Sequence, residues 1–138
     1  MMNCPVRKLT EQLIRCESVT PNDAGCLEII SKRLERLGFR LERMDQEGVS
    51  NLWATLGSDG PMVCFAGHTD VVPTGDLKQW SSDPFIPTQT DHGYLRGRGA
   101  ADMKSGLAAM IAAALMIKTS GRTLAGDLIL AFSAGESS

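Results

Sequence analysis

With 138 residues, 43% hydrophobic and 22% charged residues, and a formal net charge of −2, the chain has the profile of one ordinary globular domain. A chain of this length can bury roughly two thirds of its unfolded surface. The near-neutral charge balance and the lack of a long basic run count against nucleic acid or an anionic membrane as its main partner.

The N-terminus meets charge at Arg7 and Lys8, with no apolar stretch leading to a cleavage site. The four cysteines (Cys4, Cys16, Cys26 and Cys64) are scattered, with no C-x-x-C pair. Together these features predict a cytoplasmic, reduced protein without a disulfide framework. Nothing in the sequence puts a base beside any thiol, so a cysteine-based redox module is a weak reading.

Val6, Leu9 and Leu13 follow i, i+3, i+7 spacing and predict a first amphipathic helix. In the stretch SVTPNDAG, Thr20 is a candidate cap, Pro21 suits a first helical position and Asp23 stands three residues after the cap. Leu27, Ile30, Leu34 and Leu37 continue as one apolar stripe, and Gly38 predicts the stop.

Strand-like pieces follow at 51–56 and 62–66, separated by the turn GSDGP, with a shorter candidate at 93–99. The run 62–66, MVCFA, is apolar at every position, which predicts a strand covered on both faces and Cys64 as a small buried hydrophobe. Residues 103–118 are Ala-rich and apolar nearly all round, as in a well-buried helix. The uncharged stretch 105–117 is too short to cross a bilayer and is bracketed by Lys104 and Lys118. Residues 127–134 read as another buried strand. Helices alternating with apolar strands predict an α/β layered fold, with strands 51–56, 62–66 and 127–134 adjacent or nearly so. Because GESS follows directly on that last strand, the expectation is an incomplete domain.

Functional groups of open α/β sheets gather beyond the carboxyl ends of the strands. Strand 62–66 delivers His68 and Asp70, the GRGAAD turn delivers Asp102, and strand 127–134 delivers Glu136. His68 and Asp70 are two apart, so on extended chain they point the same way. A metal-ligating histidine usually donates its other ring N–H to a carboxylate, which Asp70 could accept directly or through neighbouring backbone, although on the His-x-Asp spacing alone a surface hydrogen bond is the better account. Asp102 is also a natural helix N-cap, and Glu136 a candidate general base or simply a solvated residue. Gly97 and Gly99 lack the third glycine of a dinucleotide loop, since position 102 is Asp. His92 precedes an apparent turn and receives no catalytic role.

The stretches GHTDVVPTGD (67–76), Trp80 with Pro84 and Phe85, and GYLRGRGAADMKSGLAAM (93–110) closely resemble the zinc-dependent aminoacylase/carboxypeptidase family, and the resemblance extends over nearly the whole chain. It implies a three-layer α/β sandwich with a mixed, largely parallel central sheet, of which residues 1–138 would be the N-terminal part of the zinc-binding catalytic domain, without the lid domain. It implies two Zn²⁺ ions per complete site, with Co²⁺ as a possible substitute. His68 would be a first-metal ligand, Asp70 the carboxylate orienting it, Asp102 the bridging ligand and Glu136 the general base. The peptide bond from Asp102 to Met103 is typically cis in such proteins. A second Glu ligand usually follows the base, and here position 137 is Ser.

The implied activity is hydrolysis of a small N-acyl amino acid. The phrase AGHTDVVPTGD…QWSSDPF points to N-succinyl-diaminopimelate, and thus to diaminopimelate and lysine biosynthesis, with acetylornithine or a peptide as the runner-up substrate. Family members often dimerise through the lid. With only His68 and Asp102 of five ligand positions present, the 138-residue chain by itself is expected to be inactive, and a non-catalytic remnant or a module needing a partner chain is the alternative of another class.

Overall fold

The structure, a computed structural model, describes residues 4–57 and 59–135. Helix α1 (Pro5–Ile14) begins with proline at its first position and buries Leu9, Leu13 and Ile14, following the predicted spacing. Helix α2 (Cys26–Arg36) buries Leu27, Ile30 and Leu34 and ends at Leu37 and Gly38. Gly38 has φ +88°, and the Gly38 and Phe39 N–H groups return to the carbonyls of Glu35 and Leu34, which closes the helix end.

The start of α2 differs from the sequence expectation. Its N-cap is Gly25, not Thr20, and Thr20 and Pro21 lie in the preceding turn. Asp23 nevertheless serves the helix: its carboxylate accepts the Leu27 N–H at 3.0 and 3.2 Å.

Four strands form the main sheet: β1 (Arg40–Arg43), β2 (Asn51–Gly57), β3 (Met62–His68) and β6 (Asp127–Ser133), in the order β1-β2-β6-β3. The pairings β1–β2 and β2–β6 are antiparallel and β3–β6 is parallel, so the sheet is mixed. As expected, 51–56, 62–66 and 127–134 are neighbours, with β6 between the other two. β1 escapes sequence reading because its residues, RLER, carry no strand pattern. The candidate at 93–99 reduces to β5 (Leu95–Arg96), paired with β4 (Thr88–Gln89) in a small separate ribbon. Leu52 and Ala54 of β2 and Leu130 and Phe132 of β6 share one sheet face and pack on α1, α2 and helix α3 (Ser105–Thr119) in the core.

Two expectations of burial fail. β3 is an edge strand, and Met62, Val63, Cys64 and Phe65 are exposed. An apolar run therefore forms the strand here without both faces being covered, and Cys64 is a surface thiol. Helix α3 buries one stripe, Leu107, Ala108, Ile111 and Ala114, while Leu115 and Met116 face outward. Residues 100–119 would be long and apolar enough to cross a bilayer by length and composition alone. The backbone is non-helical at Asp102 and Met103, however, and the regular part, at 1.5 Å per residue, spans about 22 Å against roughly 30 Å of hydrocarbon.

Candidate metal centre

β3 runs out at His68, directly opposite Ser133 at the end of β6. The segment that follows is clamped by the connection between α1 and α2. Val71 N–H donates to the Ser18 carbonyl (2.8 Å) and Thr20 N–H to the Val71 carbonyl (3.0 Å). The Ser18 hydroxyl donates to the Thr69 carbonyl (2.9 Å) and the Thr69 hydroxyl to Asp23 (3.0 Å). On the other side, Thr69 N–H donates to the Ser133 carbonyl (2.9 Å). Ser18, Thr69 and Asp70 are fully or almost fully buried, so these bonds form away from competing water.

Inside this clamp Asp70 accepts a short hydrogen bond from the Thr20 hydroxyl through Oδ2 and faces His68. The His68 Nδ1 lies 2.9 Å from the Asp70 carbonyl oxygen and 3.4 Å from its Oδ1. The Asp70 carbonyl can only accept, so this contact places a ring proton on Nδ1. The remaining nitrogen, Nε2, then presents a lone pair outward. It points at Asp102, whose Oδ1 is 3.0 Å away.

Asp102 arrives from a different element. Gly99, in the left-handed region at φ +86°, turns the chain tightly against Val71 and Lys104: a Cβ there would come within 2.6 Å of the Val71 side chain. The Asp102–Met103 peptide is cis. Asp102 does not cap α3, whose N-cap is Lys104 with no side-chain bond; its side chain is 88% exposed and reaches toward His68 instead. Gly67 lets β3 approach this turn, since a Cβ would sit 2.6 Å from Leu107 and 2.7 Å from Met103.

Behind the turn, Lys104 is fully buried and donates from Nζ to the Cys16 carbonyl at 3.0 Å. Burial pushes its ammonium below the ordinary lysine range, opposed by nearby Cys26, Cys16 and Asp23. On the flank, the Trp80 indole N–H donates to the Thr74 carbonyl and Arg98 stacks 4.9 Å over its ring, tying the 72–98 excursion to the site wall. A cavity of about 340 Å³ opens between Val72, Arg98, Ala101, Asp102 and His68, and a second of about 400 Å³ is lined by His68 with Trp53, Met103 and Phe132.

An imidazole lone pair and a carboxylate oxygen in contact need a shared positive partner, either a proton or a metal ion. Two donors each about 2.0–2.2 Å from one tetrahedral ion stand roughly 3.3 Å apart, so the spacing and the nitrogen-oxygen donor set fit a divalent metal. Among the described residues no cluster of three or more potential ligands forms, so the described site is two-sided. Glu136 and Ser137 lie outside the described residues. Sequence reading singled out the two facing donors and Asp70; it missed the Ser18, Thr20, Asp23 and Thr69 clamp, because Thr20 and Asp23 looked like helix caps, and it missed buried Lys104.

A chain with this mixed α/β layer and this histidine-carboxylate tip belongs to the peptidase family M20/M25/M40, whose profile matches residues 64–138. Members of that family are metal-dependent hydrolases. The chain is 53% identical over 132 residues to a succinyl-diaminopimelate desuccinylase of Azoarcus sp. (strain BH72), covering 96% of this chain and 34% of that protein. It thus spans about a third of the length of that curated relative. In fold it is similar to human carnosine dipeptidase 1 (TM-score 0.82, 26% identity, 94% of this chain and 31% of that one). It is also similar to an M20 family metallo-carboxypeptidase from Sulfolobus solfataricus (TM-score 0.81, 19% identity, 95% and 30%).

Proposed function

We propose that residues 1–138 are the N-terminal part of the catalytic domain of a zinc-dependent amide hydrolase that releases succinate from N-succinyl-LL-diaminopimelate. The observation that carries the reading is the His68 Nε2 to Asp102 Oδ1 contact at 3.0 Å, with Nδ1 held by Asp70. The identity to the Azoarcus desuccinylase supports the substrate. His68 and Asp102 would hold the metal, Asp102 as the bridge between two ions, with zinc as the resident ion and cobalt as a substitute. When bound, the metal supplies Lewis acidity and brings the pKa of water near neutrality.

The chain's own residues do the rest. Asp70 fixes the tautomer and orientation of His68, and its burial keeps that orientation from relaxing. Glu136 takes the proton of the attacking water and passes it to the departing amine of diaminopimelate. Catalytic zinc generally needs three protein ligands, and the described residues bring two together, so the purified 138-residue chain with added zinc is expected to hydrolyse neither succinyl-diaminopimelate nor acetylornithine.

The test is an assay of a polypeptide of the relatives' full length that carries these 138 residues. Preference for N-succinyl-LL-diaminopimelate over N-acetylornithine, lost on His68→Ala, is the expected result. Preference for the acetyl substrate would defeat the substrate assignment, and activity untouched by His68→Ala would defeat the site.

A further inference from the structure

Lys104 is the bulkiest of the fully buried residues among those described, and it stands two positions after Asp102. It closes the turn that Gly99 opens, since its N–H donates to the Gly99 carbonyl at 2.9 Å. Its stem packs against that glycine, where a Cβ would meet Lys104 Cδ at 3.2 Å and the Val71 side chain at 2.6 Å. Its Nζ ends on the carbonyl of Cys16, 88 residues upstream, at 3.0 Å. Burying an ammonium is unfavourable, and a methionine of similar length would occupy the same volume without a charge. What the ammonium adds there is the bond to Cys16.

The Cys16 carbonyl is shared with a second donor, the Ser18 N–H, at 2.8 Å. Ser18 in turn holds the segment that follows β3. Its hydroxyl donates to the Thr69 carbonyl (2.9 Å), and its own carbonyl accepts the Val71 N–H (2.8 Å). Thr69 and Val71 flank Asp70, whose carbonyl faces His68 Nδ1. A continuous path of hydrogen bonds therefore runs from the Asp102 turn through Lys104, Cys16 and Ser18 to the segment that orients His68. Lys104, Ser18 and Thr69 are fully buried, so water does not compete for these bonds. Asp102 itself has 88% of its side chain in solvent, so its place is set by the backbone beneath it rather than by packing around its carboxylate.

We propose that Lys104 is a positioning residue of the metal centre: by tying the Asp102 turn to the connection between α1 and α2, it sets the separation of Asp102 from His68. The inference rests on the metal reading of these two donors. Lys104 acts through backbone, because its Nζ bonds to a main-chain carbonyl rather than to either donor among the described contacts. With methionine in its place, Cys16 keeps Ser18 as a donor and the clamp around Asp70 stays closed, while the Asp102 turn is released. The two donors then no longer share one rigid frame, and an ion must hold them together at the cost of ordering the turn.

Lys104→Met in the 138-residue chain tests it, beside Ile30→Val, a core change in α2 that takes no part in this path. Both variants should lower the urea midpoint. Lys104→Met alone should weaken Zn²⁺ binding, by about 10- to 100-fold, and alter the visible spectrum of bound Co²⁺. In the metal-free chain, the nuclear Overhauser contact between the His68 ring and the Asp102 β-protons should vanish in Lys104→Met and persist in Ile30→Val. Ser18→Ala keeps the Lys104 bond but cuts the link to Thr69, and it carries the test if Lys104→Met does not fold. It should weaken Zn²⁺ binding severalfold. A folded Lys104→Met with the metal affinity and Overhauser contact of the unaltered chain, or Ser18→Ala with unaltered affinity, would overturn the proposal. If the unaltered chain binds neither ion, the metal reading falls, and the Overhauser comparison across these variants decides for or against Lys104 by itself.

Discussion

Asp70 and Asp102 face the same imidazole from opposite sides, and their surroundings could hardly differ more. Asp70 is 1% exposed, bonded to Thr20 and enclosed by a segment whose neighbours Thr69 and Val71 are tied to the α1–α2 connection and to β6. Asp102 has 88% of its side chain open to solvent and stands on a turn shaped by Gly99. The contrast teaches a division of labour. A buried aspartate, its carboxylate held by Thr20 and its backbone carbonyl against Nδ1, fixes the direction of a histidine, because desolvation makes alternative orientations costly. An exposed carboxylate keeps lone pairs for an incoming ion, because among the described contacts His68 is its one hydrogen-bond partner.

The sharpest way to break this contrast is to remove the facing donors. His68→Ala or Asp102→Ala should abolish divalent-metal binding by the 138-residue chain, read by calorimetric titration with Zn²⁺ or by the visible spectrum of Co²⁺. Unchanged affinity in either variant would dissolve the site.

Next in size is Asp70→Ala. It should weaken metal binding about 10- to 100-fold, through the loss of the partner that orients His68. The same change should lower stability by about 1–3 kcal/mol, since the Thr20 hydroxyl loses a buried acceptor, while the Asp70 carbonyl that faces His68 Nδ1 remains. An effect on affinity without any change in the urea midpoint would show that Asp70 is less embedded than its burial indicates.

Gly67→Ala tests the third component, the close approach of β3 to the Asp102 turn. The added methyl meets Leu107 and Met103, so a loss of about 1–3 kcal/mol by overpacking is expected in chemical denaturation. A neutral outcome would mean that both side chains yield without strain.

The smallest expected effect concerns pH. Between about 7 and the ordinary thiol value of 9.0, Cys16 is deprotonated in the folded chain and protonated in the unfolded one. The unfolded state therefore binds more protons in that window, and stability rises with pH across it and is lost as pH falls through about 7. Cys26 acts in the opposite sense above the ordinary thiol value, where the folded chain alone retains its proton. Buried Lys104, held below the ordinary lysine range, opposes Cys26 there, so the readable effect is a rise of the urea midpoint from about pH 6 to 9 that Cys16→Ala should flatten.

Much of the fold was legible because it rests on local pattern. Leu9 and Leu13, the stripe from Leu27 to Leu37, and the strands at 51–56, 62–66 and 127–134 all declare themselves by period or by continuous apolarity. What was hidden is what depends on neighbours distant in sequence. The exposure of β3 follows from its place at the sheet edge, which an apolar run does not encode. Thr20 and Asp23 carry cap chemistry, and only the packing of residues 18–23 against 69–71 turns them toward Asp70 and Thr69. Lys104 looked like the polar bracket of an apolar helix, yet its Nζ lies against Cys16, far upstream. The alignment of His68 with Asp70 was legible from their two-residue spacing, whereas the approach of Asp102 needed the Gly99 turn.

The most direct measurement is the nitrogen NMR spectrum of the His68 ring during titration of the chain with Zn²⁺. A large shift at Nε2, with Nδ1 remaining protonated, is the result expected from a lone pair held toward Asp102 by Asp70. A shift at Nδ1 instead, or a ring unmoved at millimolar zinc, would contradict it.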